Sequence, residues 1–204
     1  MYKMSTPPLD TGETALFISA QNGHSEVVQL LLDKSTNTEA ALDTRETALY
    51  ISAQNGYPAV ARLLLDKGAN TEAALSTGTT ALYASAYNGH LEVVKLLLDN
   101  GANTEAARHT GETALYISAQ NGHLEIVKLL LDKGANTEAT FKTGATALHI
   151  SAQKGHFKVV ELLLEKGAVL GARTNKSETA VDLAVKNRHK VVVKLLTAPL
   201  KSLK

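Results

Sequence analysis

Six threonines, Thr14, Thr47, Thr80, Thr113, Thr146 and Thr179, stand 33 residues apart along this chain of 204 residues. Self-similarity at such a period marks a repeat architecture, in which each repeat is one small supersecondary element that cannot bury its apolar face alone. After each threonine comes Ala, then Leu, with Val181 in the last repeat. Nine residues past the threonines stand Gly23, Gly56, Gly89, Gly122 and Gly155, a column that Arg188 breaks. Leucine triplets follow at Leu30, Leu63, Leu96, Leu129 and Leu162, thinning to Leu195-Leu196. Six repeats, approximately 9–41, 42–74, 75–107, 108–140, 141–173 and 174–204, are therefore expected to build a single domain over 1–204.

The local physics of one repeat follows from its columns. The Thr14 hydroxyl can accept an orphan amide of a first helical turn, and Gly23 can take the left-handed conformation that ends the helix, so a short helix is predicted near 15–22. The run SEVVQLLLDK places Val27, Val28, Leu30, Leu31 and Leu32 on a wide apolar stripe and leaves Glu26 and Gln29 outside it, which predicts a second helix near 25–34. Pro58 falls in the opening turn of the corresponding helix, where its missing N–H costs nothing. Gly68, Gly101, Gly134 and Gly167 stand just past their leucines and can close the second helix. Neither helix is long enough to be stable alone, so each must bury its stripe against neighbouring repeats. Ser35 replaces the closing glycine in the first repeat, which makes that repeat the expected weak end.

Composition agrees with many small contacts. Apolar residues make up 44% but aromatics only 4%, with no Trp, so the core must be built from Ala, Leu, Val and Ile. There is no cysteine, so packing alone must stabilise the fold. The opening MYKMSTPPLD lacks the apolar core of a signal peptide, and no stretch is long and apolar enough to span a bilayer, so an intracellular site, cytoplasmic or nuclear, is expected. The net charge is +1, yet residues 173–204 carry eight Lys/Arg against Glu178 and Asp182, a local +6 that leaves the rest at −5. The simpler reading of that end is a solvated basic cap, with Lys186, Arg188, Lys190 and Lys194 outward and Val191, Val192, Leu195 and Leu196 inward.

These residues resemble the ankyrin repeat, with its Thr-Pro-Leu-His start, its Gly-His between helices, its Leu-Leu and its Gly-Ala before the hairpin. The resemblance covers roughly 9–197. It implies an all-α solenoid of stacked helix-turn-helix repeats, with hairpin-like loops projecting at about a right angle and a concave surface used for protein binding. Ala15, Ala48, Ala81, Ala114, Ala147 and Ala180 stand where Pro is usual, so Thr caps must hold the helix starts without proline. The usual His is Phe17, Tyr50, Tyr83 and Tyr116, and is kept as His149. Glu39, Glu72, Glu105 and Glu138 stand where some members carry an Asn that is hydroxylated, so that modification is not expected.

The residues that could carry chemistry also fall in columns. His24, His90, His123 and His156 recur at one place in the repeat, but equivalent residues of stacked repeats lie roughly 8–10 Å apart and point in parallel, which suits a structural role at the helix start and not a metal site. The same spacing keeps Glu39, Glu72, Glu105 and Glu138 from converging as catalytic or calcium-binding carboxylates and predicts a solvated acidic edge. Ser52 and Ser118 are column members, read as packing and not as nucleophiles. The glycines form no phosphate-cradling loop, and the basic C-terminal residues lack interleaved aromatics, so nucleotide and nucleic acid are disfavoured. No enzymatic activity, metal or cofactor is expected.

The expected function is a protein-interaction scaffold that binds a partner protein, with the chain itself a monomer. A stability-only or designed scaffold, and the recognition part of a larger enzyme or channel, remain open beside it. Drift such as Ser35-Thr36 for Gly-Ala, Arg45 for Gly and Val169-Leu170 for Asn-Thr favours a natural origin. Columns needed for stacking stay fixed, while those a partner shapes vary. The varied positions are the hairpin tips and the ends of the first helices, which puts Tyr87, Arg108 and Phe141 forward as anchors and His109, Glu112, Lys142 and Lys154 as the polar rim.

Overall fold

A computed structural model of the chain describes residues 14–34 and 36–198. Ser35 lies outside the described residues, and with it the backbone strain expected there. The described part is all-α. Its helices in chain order are α1 (Ala15–Gln21), α2 (Ser25–Asp33), α3 (Ala48–Asn55), α4 (Pro58–Asp66), α5 (Ala81–Asn88) and α6 (Leu91–Asp99), then α7 (Ala114–Asn121), α8 (Leu124–Asp132), α9 (Ala147–Lys154), α10 (Phe157–Glu165), α11 (Ala180–Lys186) and α12 (Lys190–Thr197). Between helix pairs the chain makes hairpin-like turns with single antiparallel bridges, Ala41 to Thr47, Ala74 to Thr80 and Ala107 to Thr113.

The chain divides into two compact halves, Met1–Asn103 and Thr104–Lys204. In the first, α3 packs between α1 and α5, and α4 between α2 and α6. In the second, α9 packs between α7 and α11, and α10 between α8 and α12. Each half is thus a row of short first helices backed by a row of amphipathic second helices.

Threonine starts the first helices as expected. The hydroxyls of Thr47, Thr80 and Thr113 accept the amides of Tyr50, Tyr83 and Tyr116 at 3.1 to 3.3 Å, caps worth about 1 kcal/mol each. Alanine opens every described first helix, and Ala48, Ala81, Ala114, Ala147 and Ala180 are buried in the close-packed row of first helices. The second helices turn Val60, Leu64, Val94, Leu97, Val127, Leu130, Val160 and Leu163 fully inward.

Two apolar expectations need correction. Val27 and Leu30 are 45% and 57% exposed, although Val60, Val93, Ile126 and Val159 in the Val27 column are all buried. An α2 side chain in that column is covered only by a preceding second helix, and no such helix lies among the described residues. Val191, expected inward, is 64% exposed. It occupies the column of Glu92, Glu125 and Lys158, which faces solvent in every repeat. Val192 and Leu196 are buried as expected, and Lys186, Arg188, Lys190 and Lys194 are exposed.

The two arginines that interrupt glycine positions keep the glycine backbone. Arg45 has φ 70° and Arg188 φ 63°. The left-handed conformation costs an L-residue about 1–2 kcal/mol, and glycine's greater freedom in the unfolded chain returns part of that. Arg188→Gly is therefore expected to stabilise the protein by roughly 0.5–1 kcal/mol. A urea midpoint that stays level or falls would show that the Arg188 side chain contributes more than its backbone costs.

Candidate protein-binding surface

The hairpin tips of the second half are tied to one another through the main chain. The Lys142 amide donates to the Thr110 carbonyl at 2.9 Å, and the Asn175 amide to the Thr143 carbonyl at 2.8 Å. The Asn175 side-chain amide also donates to the Lys142 carbonyl at 3.0 Å. Side chains carried on these tips therefore project from a fixed row.

The seven expected site residues have different surroundings. Arg108 and Glu112 close their own hairpin: the Arg108 guanidinium meets the Glu112 carboxylate at 2.9 Å, and the Thr110 hydroxyl donates to the same oxygen at 2.7 Å. The Glu112 side chain is mostly covered. Phe141 stacks on Tyr116, with ring centroids 5.5 Å apart, and the Lys142 ammonium lies 5.5 Å from the centre of the Phe141 ring. These three side chains have work inside the fold. His109, Lys142 and Lys154 are exposed. Tyr87 lies in the first half on α5, where it is 50% exposed, and the other six belong to the second half.

Sequence reasoning missed a groove of about 470 Å³ between the last two hairpins and the helices behind them. Ala145 and Leu183 form its floor, Gln153 and Asn175 its amide walls, and Lys142 and Lys176 its rim. Glu178 also lines it, with its carboxylate 3.3 Å from the Lys186 ammonium. The signal was present in the sequence, because Lys176 is the one lysine in a column of threonines.

The glutamate column does more than face solvent. Glu39 accepts the Asn70 amide, Glu72 the Asn103 amide, Glu105 the Asn136 amide and Glu138 the Val169 amide, at 2.9 to 3.0 Å. Each carboxylate thus pins the next repeat's backbone while one side stays wet, which corrects the expectation of a merely solvated edge. The donor is a main-chain N–H, so Val169 serves as well as Asn.

The histidine column is structural, though not through its own helix, since His24, His90, His123 and His156 make no side-chain cap. Instead, Nε2 of His90, His156 and His189 lies 2.9 to 3.0 Å from the carbonyls of Gln54, Gln120 and Gln153 in the preceding repeat. A carbonyl only accepts, so Nε2 carries the proton. Among the described residues no three His, Cys, Asp or Glu side chains are grouped to hold a metal ion. Ser52 and Ser118 are fully buried and donate to the carbonyls of Leu49 and Leu115.

Among the described residues, His149 is the one titratable side chain with no exposed surface. Its Nδ1 accepts from the Thr146 amide at 3.2 Å and lies 2.9 Å from the Thr146 hydroxyl, while Nε2 donates to the Ala172 carbonyl at 3.0 Å. Burial holds its pKa below the ordinary histidine value, and the bond to the Ala172 carbonyl opposes that shift. With the folded pKa lowered, the unfolded chain takes up the proton first as pH falls. The stability from neutral His149 is thus fully present above the unfolded value of about 6.5 and is lost as pH drops from there through the folded value. His149→Tyr, which restores the residue of the three preceding repeats, is expected to lose less thermal stability than the parent between about pH 7.5 and about pH 5. Equal losses in the two proteins would remove His149 as the source.

No described helix is long and apolar enough to cross a membrane. Among curated proteins, none matches the chain. The sequence model of the family described as "Ankyrin repeats (3 copies)" matches at residues 3–75, 69–141 and 135–202. With three tandem matches spanning nearly the whole length and a helix pair in every 33-residue repeat, the chain belongs to the ankyrin-repeat family, whose repeats are in general protein–protein interaction modules.

Proposed function

We propose that this chain is a non-catalytic, intracellular binding scaffold that holds a partner protein on the face formed by its hairpin tips and the ends of its first helices. The observation that carries the reading is where the repeats differ. The buried columns are nearly invariant, whereas Tyr87, His109, Lys142 and Lys154 interrupt their columns and are all exposed. The linked tips present His109 and Lys142 on a rigid backbone, which lowers the ordering cost of binding, and Lys154 ends α9.

The geometry revises the anchors. Truncating Arg108 or Phe141 removes an internal contact as well as any contact with a partner, so a loss of affinity there is mixed with a loss of stability. Tyr87, Lys142 and Lys154 are the more exposed, so their truncation disturbs the fold less. Once a partner is captured from the native source and identified by mass spectrometry, Tyr87→Ala and Lys142→Ala are expected to weaken binding by about 2 kcal/mol where they are anchors, with thermal midpoints unchanged. If these two and Lys154→Ala leave its affinity untouched, and cross-links fall on the second helices instead, the proposed face is wrong.

A further inference from the structure

Four lysines of the last two repeats stand alone in their columns. Lys142 replaces Asp10, Asp43, Ser76 and His109; Lys176 replaces Thr44, Thr77, Thr110 and Thr143. Lys154 interrupts a column of asparagines, and Lys186 a column of Gln21, Gln54, Tyr87, Gln120 and Gln153. No other repeat has a lysine at any of these places. All four are exposed, and two of them, Lys142 and Lys176, line one groove, while Lys186 pairs with Glu178 of its lining and Lys154 follows the lining residue Gln153 in sequence. Since Glu178 is already engaged by Lys186, the positive charge around the groove is unbalanced.

We infer that this groove receives an acidic, extended segment of the partner protein, with an aliphatic side chain on the floor and carboxylates between the lysines. The inference rests on the proposed binding face and adds the chemistry of the partner. The cavity of about 470 Å³ is of ligand-site size, such sites spanning roughly 300–1,000 Å³. Its floor of Ala145 and Leu183 rewards an apolar group, and the side-chain amide of Gln153 can pair with a peptide backbone. Charge alone would also suit single-stranded nucleic acid, but that needs exposed rings on which bases stack. The nearby Phe141 ring is half-buried and already engaged by Tyr116 and Lys142.

The test is selection of short random peptides displayed on phage against the whole chain, followed by fluorescence anisotropy on the best synthetic peptide. The expected pool is enriched in Asp and Glu beside a Leu, Ile or Val, and its affinity falls as salt rises. K142E/K176E should weaken binding at least about tenfold, the neutralised K142Q/K176Q less strongly, and K95E/K128E on the second helices less than about twofold. Retention of the parent circular dichroism by K142Q/K176Q keeps the comparison valid should the charge reversal disturb folding. A pool with no acidic excess, no enrichment at all, or full affinity in K142Q/K176Q overturns the inference, as does tighter binding of a single-stranded oligothymidylate than of the best peptide. Should native-partner cross-links still map to the hairpin tips in that event, the binding face stands and only the acidic chemistry fails.

Discussion

Replacing Leu130 by Ala is expected to cost about 3 kcal/mol of stability, whereas Leu30→Ala should cost less than about 0.5 kcal/mol. Both are leucines of a second helix, yet Leu130 on α8 has no exposed surface and Leu30 on α2 is more than half exposed. Truncation at Leu130 removes its transfer free energy and leaves a cavity that the flanking helices cannot close, because α8 is held both by α7 and by α10. Urea denaturation followed by far-ultraviolet circular dichroism measures the two costs. A loss below about 1 kcal/mol for Leu130→Ala would mean that neighbouring repeats collapse onto the gap and that packing here is looser than the burial implies.

Gly155→Ala is expected to destabilise by about 2 kcal/mol, and Gly167→Ala by about 1 kcal/mol. The two glycines share a left-handed backbone, with φ of 80° and 87°, so they share the conformational cost. They differ in what a Cβ meets. At Gly167 nothing lies within 4 Å, whereas at Gly155 the new carbon would stand 2.5 Å from Nδ1 of His189. That ring cannot swing aside without losing its 2.9 Å bond to the Gln153 carbonyl, a contact worth about 1 kcal/mol. The difference between the two variants, read from their urea midpoints, isolates what the histidine bridge between repeats contributes. If the two cost the same, the bridge contributes nothing and the ring moves freely.

What could be read in the sequence was whatever a single repeat decides for itself. Thr47 caps its own helix, Gly56 ends it, and the Leu63 to Leu65 run fixes which face of α4 is apolar; each depends on residues a few places away. The relation between repeats was less visible. The bond from the Asn70 amide to Glu39 joins residues 31 apart, and a carboxylate in a polar loop reads as solvated until the next loop is placed beside it. The exposure of Val27 and Leu30 depends on a neighbouring helix, which no property of α2 encodes. At the binding face the misplaced emphasis had a signal. Phe141 shares its column with Leu42 and Leu75, so its ring was due to pack inward, as it does against Tyr116. Arg108 and Glu112, of opposite charge and four residues apart across a Thr-Gly turn, were due to meet each other.

The glutamate bonds have a consequence for the gene as well as for the protein. Glu39 reaches the amide of Asn70, and Glu72 reaches that of Asn103. Excising 33 consecutive residues that begin between Glu39 and Asn70 would bring Asn103 into register with Glu39 and hand it an equivalent donor. A bond that always points one period ahead is indifferent to how many periods there are. Unequal recombination between copies of the repeat can therefore lengthen or shorten the array by whole periods without designing a new junction, whereas gaining or losing a single codon inside a helix would turn its apolar face and break the register on both sides.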